Sequence, residues 1–407
     1  MALAVPLQPA LPSAPHSLWD RLRAWLPLAV LLYVASAYVL PKGPGSSVIF
    51  YLAVVPCLLA CLAAWPRRAW TELVRDPPAA AALALIVWSG LTLLWGANDK
   101  NRAWQFAADT VATLGFLLAM LLAWSDAAGR TRLARVLVAV GAANALFSIV
   151  QAFILQPHDP RLHGLGLTMH PILGALVMQT AYLTAVARGL TGTGRRWPNL
   201  AAATVMAIFI LMTESRGPIL AAAAATLFLC VSGPWRWRAL GALAAMVAVW
   251  YALPSAVHQH STQVLERRGT SHRLEIWEYA LQLIGNRPVV GHGLAANLHI
   301  SVVNGKVTDD ITFPHDLYLS LLFYSGIVGF LIFVALVVML VWRLFRGWDR
   351  TEAPWLAALG IGALLGGLTD LGQVTKGPGT LWLILWVPIG LTLGWWRDKY
   401  GSALSTK

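Results

Sequence analysis

Residues 312–342 have the sequence TFPHDLYLSLLFYSGIVGFLIFVALVVMLVW. From Leu317 to Trp342 no side chain is charged, and this run exceeds the about 20 apolar residues that a helix needs to cross the roughly 30 Å hydrocarbon core of a bilayer. A membrane-spanning helix is therefore expected here. His315 lies where the polar opening of the stretch meets the apolar run, so we expect its imidazole at the boundary between membrane and water.

The composition of the whole chain agrees with a membrane protein. Of the 407 residues, 58% are hydrophobic and 12% are charged, and the mean hydropathy is +0.64, whereas about a quarter of the residues of a soluble domain are charged. The alternating pattern of a membrane β-barrel is absent, so the spans are predicted to be helices. We expect an all-α polytopic membrane protein, surrounded by membrane lipids and without a nucleic-acid partner.

Apolar runs separated by Pro, Gly and charged clusters predict about twelve transmembrane helices. Many of the 20 tryptophans lie at the ends of these runs, as residues of the membrane interface do. The runs cover residues 24–40, 47–65, 79–95, 104–124, 133–154, 171–187, 198–213, 218–232, 238–254, 316–342, 354–373 and 378–396.

The distribution of Lys and Arg predicts the orientation, because short cytoplasmic loops carry the excess of these residues. Nineteen basic residues fall on one side, and six fall in the short loops of the other side. The six are Lys42, Lys100, Arg102, Arg161, Arg216 and Lys376. The Pro-rich opening segment is not expected to be a cleaved signal peptide. The predicted parts are cytoplasmic tails at 1–23 and 397–407, spans one to nine in 24–254, one large periplasmic loop domain at 255–315, and spans ten to twelve in 316–396.

One helix is predicted inside the large loop, from a cap at Ser271 to about Ile284, before a turn at Pro288–Gly293 that contains His292. Arg273 falls in its first turn. Apolar residues recur along it at helical spacing, and this face is predicted to rest on the membrane surface or on the helix bundle. These residues are Leu274, Trp277, Leu281 and Ile284.

Two arginines are candidates for binding phosphate at the membrane boundary. Arg216 lies in a connection too short to leave that boundary, and Glu214 with the Gly217-Pro218 turn would fix its place; a snorkelling arginine at a helix end is the structural alternative. Guanidinium forks suit a diphosphate, which lipid-linked sugars present at this depth. Arg273 is assigned to the same role. Its neighbours Arg267 and Arg268 are assigned to attraction for anionic lipid headgroups.

His315 is a candidate general base. The positive end of a helix dipole disfavours imidazolium, so a neutral ring is expected, which is the form that a base requires. An ordinary His-Asp pair at a helix start, with Asp316 complementing the dipole, is the alternative. A metal site built from Asp309, Asp310, His315 and Asp316 matches no established ligand spacing and would place a cation near arginines. We therefore expect neither a metal nor another cofactor.

Two aspartates lie inside predicted spans. Asp109 falls in span four and Asp370 in span eleven, where a carboxylate is stable only if it faces the bundle interior or a cavity. Either residue could pair with polar groups that line the site, or could hold helices together.

Taken together, these residues resemble the O-antigen ligase (WaaL) family of the O-antigen ligase and polymerase superfamily, which are bacterial inner-membrane glycosyltransferases with a GT-C-like architecture. The likeness covers about residues 80–400 in layout. The matching pieces are Arg161–Gly164, Met169-His170-Pro171, Ser215-Arg216-Gly217, Arg273 with Ile276-Trp277, Pro288–Gly293, and His315 with Gly326 and Gly329.

The resemblance implies an inverting, metal-independent transfer of a glycan from undecaprenyl diphosphate to lipid A-core on the periplasmic face of the bacterial inner membrane. It implies that Arg216 and Arg273 bind the diphosphate and that His315 activates the acceptor hydroxyl. The family usually has His-Asn where this chain has His315-Asp316, so Asp316 is a candidate for orienting the ring. The residues considered for supporting roles are Arg161, Glu214, His292, Asp316 and Asp370.

Three other functions stay open. An O-antigen polymerase and a protein O-oligosaccharyltransferase would use the same donor chemistry, and a transporter of a lipid-linked anion would also need basic residues and a cavity. The ligase is favoured because only one outer loop is large, with Arg267, Arg268 and Lys306 available for core phosphates. A transporter is expected to show repeated halves and mid-membrane charges, whereas the cations here lie on one face.

Overall fold

The computed structural model describes residues 17–40, 44–96, 100–155, 161–233, 273–298 and 312–404, with isolated positions between 237 and 248. In these ranges the chain folds into helices joined by loops, as the apolar runs predicted. The helices are α1 (Leu18–Val39), α2 (Pro44–Ile49), α3 (Val55–Ala63), α4 (Arg67–Arg75), α5 (Pro77–Leu91), α6 (Leu93–Gly96), α7 (Lys100–Ala123), α8 (Ala127–Leu155), α9 (Pro171–Thr191), α10 (Arg196–Met212), α11 (Arg216–Val231), α12 (Arg273–Asn286), α13 (Leu317–Arg346), α14 (Ala353–Asp370) and α15 (Val387–Leu404). Two π-helical turns, Phe50–Val54 and Trp382–Trp386, lie before α3 and α15.

Within the described ranges, eight helices are long and apolar enough to cross a membrane, and α10 and α11 are shorter apolar helices. They correspond to predicted spans one to eight, ten and eleven. Span nine, predicted at 238–254, falls almost wholly outside the described residues, and span twelve corresponds to α15 with the π-helical turn before it. The chain is thus a polytopic helical membrane protein, and the count of twelve spans stays a prediction.

Helix α9 is the centre of the bundle. In its most apolar stretch of 18 residues, 89% of the residues are buried. The helix packs against α8, α10, α11 and α14. A helix that is buried on nearly every side belongs to the core of a large helical protein. Its position holds α11 and α14 side by side, and both of these helices lead to the candidate site described below.

One end of the bundle is closed by ion pairs. The Arg130 guanidinium, which is 1% exposed, lies 2.8 Å from the carboxylates of Glu352 and Asp398, and Arg343 pairs with Asp76. These residues lie on the side that the Lys and Arg count assigns to the cytoplasm. We call the opposite end, where α11 and α13 begin and α14 ends, the outer end.

Helix α13 is broken at the outer end of the bundle. Gly326 has φ 64° and ψ −170°. Residues other than glycine rarely adopt this backbone conformation. The break frees backbone groups that need hydrogen-bond partners inside a membrane. The N–H groups of Ile327 and Val328 donate to the carbonyls of Pro288 and Val289, at 2.8 and 3.4 Å.

The turn Pro288–Gly293 also donates hydrogen bonds to the carbonyls that the break in α13 leaves free. The N–H groups of His292 and Gly293 donate to the carbonyls of Phe323 and Tyr324, at 2.7 and 3.0 Å. The Trp88 indole donates to the Ser325 carbonyl at 2.9 Å. The predicted turn is therefore confirmed, and it is inserted into the broken helix, so the large loop is fixed to the bundle at this point.

Helix α12 begins at Arg273 and ends at Asn286, close to the predicted bounds. Of the predicted apolar face, Ile284 packs on the bundle, whereas Leu274 and Leu281 are 60% and 55% exposed, so their contact with the membrane surface stays a prediction. The face that packs on α13 contains Ile276, Ala280 and Ile284. Small Ala280 lies in the middle of this face, and its methyl group lets α12 lie close to α13. The rest of the predicted loop domain at 255–315 lies largely outside the described residues.

Candidate active site

The centre of the candidate site is a pair between His315 and Asp370. The Nδ1 atom of His315 lies 2.6 Å from Oδ1 of Asp370, whose side chain is 2% exposed, whereas the His315 side chain is 31% exposed. A carboxylate can only accept a hydrogen bond, so Nδ1 carries the proton in this pair. The Nε2 atom of the neutral ring then presents a lone pair, as a general base must.

His315 has a strained backbone, and two neighbouring side chains hold its ring. Its φ is 53°, a left-handed conformation that is uncommon for residues other than glycine. Such strain costs of order 1–3 kcal/mol and persists where the surroundings enforce it, often at functional sites. The Phe313 ring lies 4.0 Å from the imidazole, centroid to centroid. Phe313 and Asp370 thus hold the ring from two directions.

Asp316 lies at the helix start, as the alternative interpretation of the His-Asp pair expected. It is the N-cap of α13, and its carboxylate accepts a hydrogen bond from the Leu319 N–H at 2.8 Å. Such a cap satisfies one of the unpaired donors at a helix start. The carboxylate that contacts the His315 ring is that of Asp370, whereas Asp316 fixes the helix that carries His315.

Contacts between α13 and α14 hold the pair together. The Tyr318 hydroxyl donates to the Leu364 carbonyl at 2.8 Å, and the Ser320 hydroxyl donates to the Leu371 carbonyl at 3.3 Å. Each bond joins the first turns of α13 to the end of α14. The separation between His315 and Asp370 is therefore set by two packed helices.

Arg216 is the first residue of α11, and its side chain is exposed. The next residue, Gly217, lies so close to Thr369 that a Cβ atom at this position would overlap the Thr369 side chain. Thr369 immediately precedes Asp370, so the start of α11 touches the last turn of α14. The Ser215-Arg216-Gly217 motif thus places Arg216 near the end of α14 that carries the His315 partner.

Arg161 and Glu214 shape the connection before Arg216. The Arg161 guanidinium donates to the Thr213 carbonyl at 2.9 Å and to the Ser215 hydroxyl at 2.7 Å. Glu214, between them, has φ 51°, and its buried Oε2 atom has no hydrogen-bond partner in the part of the chain that the structure describes. Arg161 therefore holds a strained connection whose next residue is Arg216.

Arg273, the first residue of α12, is half-buried. Its guanidinium lies close enough to Asp316 to stabilise the Asp316 carboxylate electrostatically. The loop helix therefore carries Arg273 to the start of α13, beside the residue that follows His315. The structure thus brings the three principal candidates, Arg216, Arg273 and His315, to the same end of the bundle.

His292 lies in the turn that is inserted into α13. Its Nε2 atom is 2.7 Å from the Leu283 carbonyl, and its ring is stacked on Phe323 at 4.9 Å. The acceptor is a carbonyl, so Nε2 carries the proton here. These contacts tie α12 to the inserted turn, and a supporting role in the reaction stays a prediction.

No group of three or more His, Cys, Asp or Glu side chains in the described ranges is arranged to hold a metal ion. Asp309 and Asp310, which were weighed as metal ligands, lie outside those ranges, as do Arg267, Arg268 and Lys306. Sequence reasoning missed the contact of Gly217 with Thr369 and the break at Gly326. The only local signals for these two features are the glycines themselves.

The fold is that of a multi-pass membrane protein, and its similarity to known proteins indicates an enzyme of the glycosyltransferase type. A family model described as O-antigen ligase matches residues 201–334, a range that contains Arg216, Arg273 and His315. Over 393 aligned residues the chain is 27% identical to the protein named "O-antigen ligase" of Pseudomonas aeruginosa strain PAO1, and the match covers 93% of this chain and 92% of that protein. These similarities confirm the resemblance to the O-antigen ligase family that the motifs predicted.

Proposed function

We propose that this protein transfers an O-antigen glycan from undecaprenyl diphosphate to a hydroxyl of lipid A-core on the periplasmic face of the bacterial inner membrane. The observation that carries the proposal is the 2.6 Å contact between His315 Nδ1 and the buried Asp370 carboxylate, at the end of the bundle where Arg216 and Arg273 also lie. The similarity to the O-antigen ligase family supports the substrates, and the predicted orientation supports the periplasmic face.

His315 acts as the general base. Its Nε2 atom takes the proton of the acceptor hydroxyl while the hydroxyl oxygen attacks the anomeric carbon of the donor sugar. The imidazolium that forms is stabilised by the Asp370 carboxylate across the Nδ1–H bond, as in other His-carboxylate pairs. Positioned bases of this kind contribute about 10²–10⁴-fold to a rate.

Arg216 and Arg273 act on the leaving group. As the bond between the anomeric carbon and the diphosphate oxygen breaks, the electron pair stays with undecaprenyl diphosphate, whose negative charge grows. Fixed guanidinium groups at this position stabilise that charge in the transition state. One displacement, with attack opposite the departing diphosphate, inverts the anomeric configuration. In this scheme the arginines supply the positive charge that a metal ion would otherwise supply.

The test uses purified full-length protein with lipid-linked O-antigen and one of three acceptors. These are lipid A-core, a second lipid-linked glycan, and a pilin protein. We expect glycosylated lipid A-core and inverted anomeric stereochemistry in the product. Product formed only on the second glycan or only on the pilin would reassign the chain to a polymerase or to a protein O-oligosaccharyltransferase. Movement of the lipid-linked sugar across liposomes without any glycosidic bond would overturn the proposed enzyme.

A further inference from the structure

The segment 371–379, which follows Asp370, is non-helical and lies among helices of the bundle. Irregular backbone at membrane depth is stable only where protein buries it or where it lines a cavity. Its described contacts connect the candidate active site to Asp109, an aspartate of α7 that the mechanism above does not use. Lys100 is the first residue of α7. At 1.5 Å per residue, Asp109 lies about 13 Å along the helix axis from that end, and therefore inside the span.

One end of the segment touches the active site. The Leu371 carbonyl accepts a hydrogen bond from Ser320 of α13. Gly372 faces the Phe313 ring, and a Cβ atom at Gly372 would lie 3.2 Å from that ring. Phe313 in turn packs on the His315 imidazole. A shift of the segment would therefore move both the Asp370 end of α14 and the ring that supports His315.

The other end of the segment is fixed to α7. The Asp109 carboxylate accepts a hydrogen bond from the Gly377 N–H and lies within electrostatic range of the Lys376 ammonium. A Cβ atom at Gly377 would overlap this carboxylate, so glycine is needed for the contact. One residue further along α7, the Thr110 hydroxyl donates to the Thr375 hydroxyl at 3.3 Å.

We propose that Asp109 is a positioning residue that sets the orientation of the His315–Asp370 pair through the segment 371–377. A carboxylate inside a span is costly unless it has a specific partner, and here the partner is backbone that begins at Asp370. The inference rests on the proposed general-base function of His315. A misplacement of about 1 Å at a reacting group can cost up to about 10²-fold in rate, so the effect of Asp109 is expected in kcat.

The experiment compares Asp109→Ala, Gly377→Ala and the double variant in the full-length protein, with lipid-linked donor and lipid A-core. Each single variant is expected to lower kcat by about 10- to 100-fold, with the donor KM within about twofold of wild type. In the Asp109→Ala background the added methyl of Gly377→Ala has room, so the double variant should lose little more than Asp109→Ala alone. Asp109→Asn keeps an acceptor for the Gly377 N–H and should recover most of kcat.

Two reference variants separate the possible outcomes. Asp349→Ala removes the acceptor of the Glu352 and Ala353 N–H groups at the opposite end of α14, and it should lower the Tm while kcat stays within about twofold. Wild-type kcat in folded Asp109→Ala, a raised donor KM as its main defect, or strictly additive losses that follow the Tm would overturn the inference. If Asp109→Ala does not fold, wild-type kcat in Gly377→Ala overturns it equally. Full turnover of His315→Ala would overturn the proposed base and the inference with it.

Discussion

At the scale of single residues, the two aspartates near His315 have separate tasks. Asp370 accepts from the ring, and Asp316 caps α13. Asparagine at position 370 carries no negative charge to stabilise imidazolium, and its NH₂ group can donate to Nδ1 and select the wrong tautomer of the ring. Asparagine at position 316 can still cap the helix.

The first prediction follows from this division. Asp370→Asn should lower kcat by at least about 10²-fold, and Asp316→Asn should change it by less than about tenfold. Initial rates of glycan transfer, together with Tm values that show equal folding, give the measurement. A severe defect in Asp316→Asn with a near-normal Asp370→Asn would contradict the assigned roles.

The second prediction concerns the two arginines. Arg216→Lys and Arg273→Lys keep the charge but lose the planar fork that binds a diphosphate through two hydrogen bonds, so kcat/KM for the donor should fall by about tenfold or more. Arg287→Lys is the matched control, because Arg287 is an exposed arginine just beyond the end of α12. If Arg216→Lys and Arg273→Lys kept the donor kcat/KM of the Arg287→Lys control, the positive charge alone would be sufficient, and a bidentate contact with the diphosphate would be contradicted.

The sequence predicted His315, Arg216 and Arg273 as candidates, and it left open whether Asp370 pairs with polar groups of the site or holds helices together. His315 and Asp370 are 55 residues apart, and their contact depends on how α13 packs on α14. A neighbouring aspartate at 316 was the nearer candidate along the chain. The cap at Asp316 follows from local chemistry, and the pairing with Asp370 follows only from tertiary packing.

At the scale of elements, the break in α13 and the turn inserted into it form one unit. The third prediction is that Gly326→Ala destabilises the protein by more than about 1 kcal/mol, because φ 64° suits glycine and a Cβ atom would overlap the Val289 carbonyl. Gly360→Ala is the control, since a Cβ at this helical position of α14 meets nothing within 4 Å. It should be neutral or slightly stabilising. Thermal unfolding in the same detergent or nanodisc measures both, and equal Tm values would count against the inserted turn.

The apolar runs predicted most helices of the described ranges because a span needs a long apolar stretch whatever its neighbours are. The break at Gly326 could not be predicted in the same way. Residues 317–342 are uncharged and mostly apolar on both sides of Gly326, so no clear change of pattern marks the break. The acceptors that stabilise it come from Pro288 and Val289 in a distant loop. The residues of α12 that pack on α13 could not be fully predicted either, since small Ala280 carries little hydrophobic signal.

At the scale of the whole molecule, the orientation in the membrane is the fourth prediction. In a variant without Cys57, Cys61 and Cys230, cysteines placed at Thr262 and Gly305 should react with a membrane-impermeant thiol reagent added from outside, because the positive side of the chain faces the cytoplasm. A cysteine at Ser402, in the predicted inner tail, should react only after the cells are opened. Labelling in the reverse pattern would invert the topology and move the site to the cytoplasm.

The charge distribution predicted one orientation for the whole chain, and the buried pairs of Arg130 and Arg343 lie at the end assigned to the cytoplasm. What the sequence could not predict at this scale is the face that the lipid A-core acceptor approaches. That face depends on how the loops and helix ends are arranged around the candidate site. The basic residues considered for it, Arg267, Arg268 and Lys306, lie outside the described residues.

The central claim is that His315 acts as the base of a glycan transfer that needs no metal. Its most direct test is the rate at which purified protein transfers glycan from undecaprenyl diphosphate to lipid A-core, measured for wild type, for His315→Ala and for wild type with a strong chelator. We predict that His315→Ala, folded to the same Tm, is slower by about 10²–10⁴-fold, and that the chelator leaves wild-type turnover unchanged. Near-full turnover of folded His315→Ala, or loss of wild-type turnover with the chelator, would contradict the account.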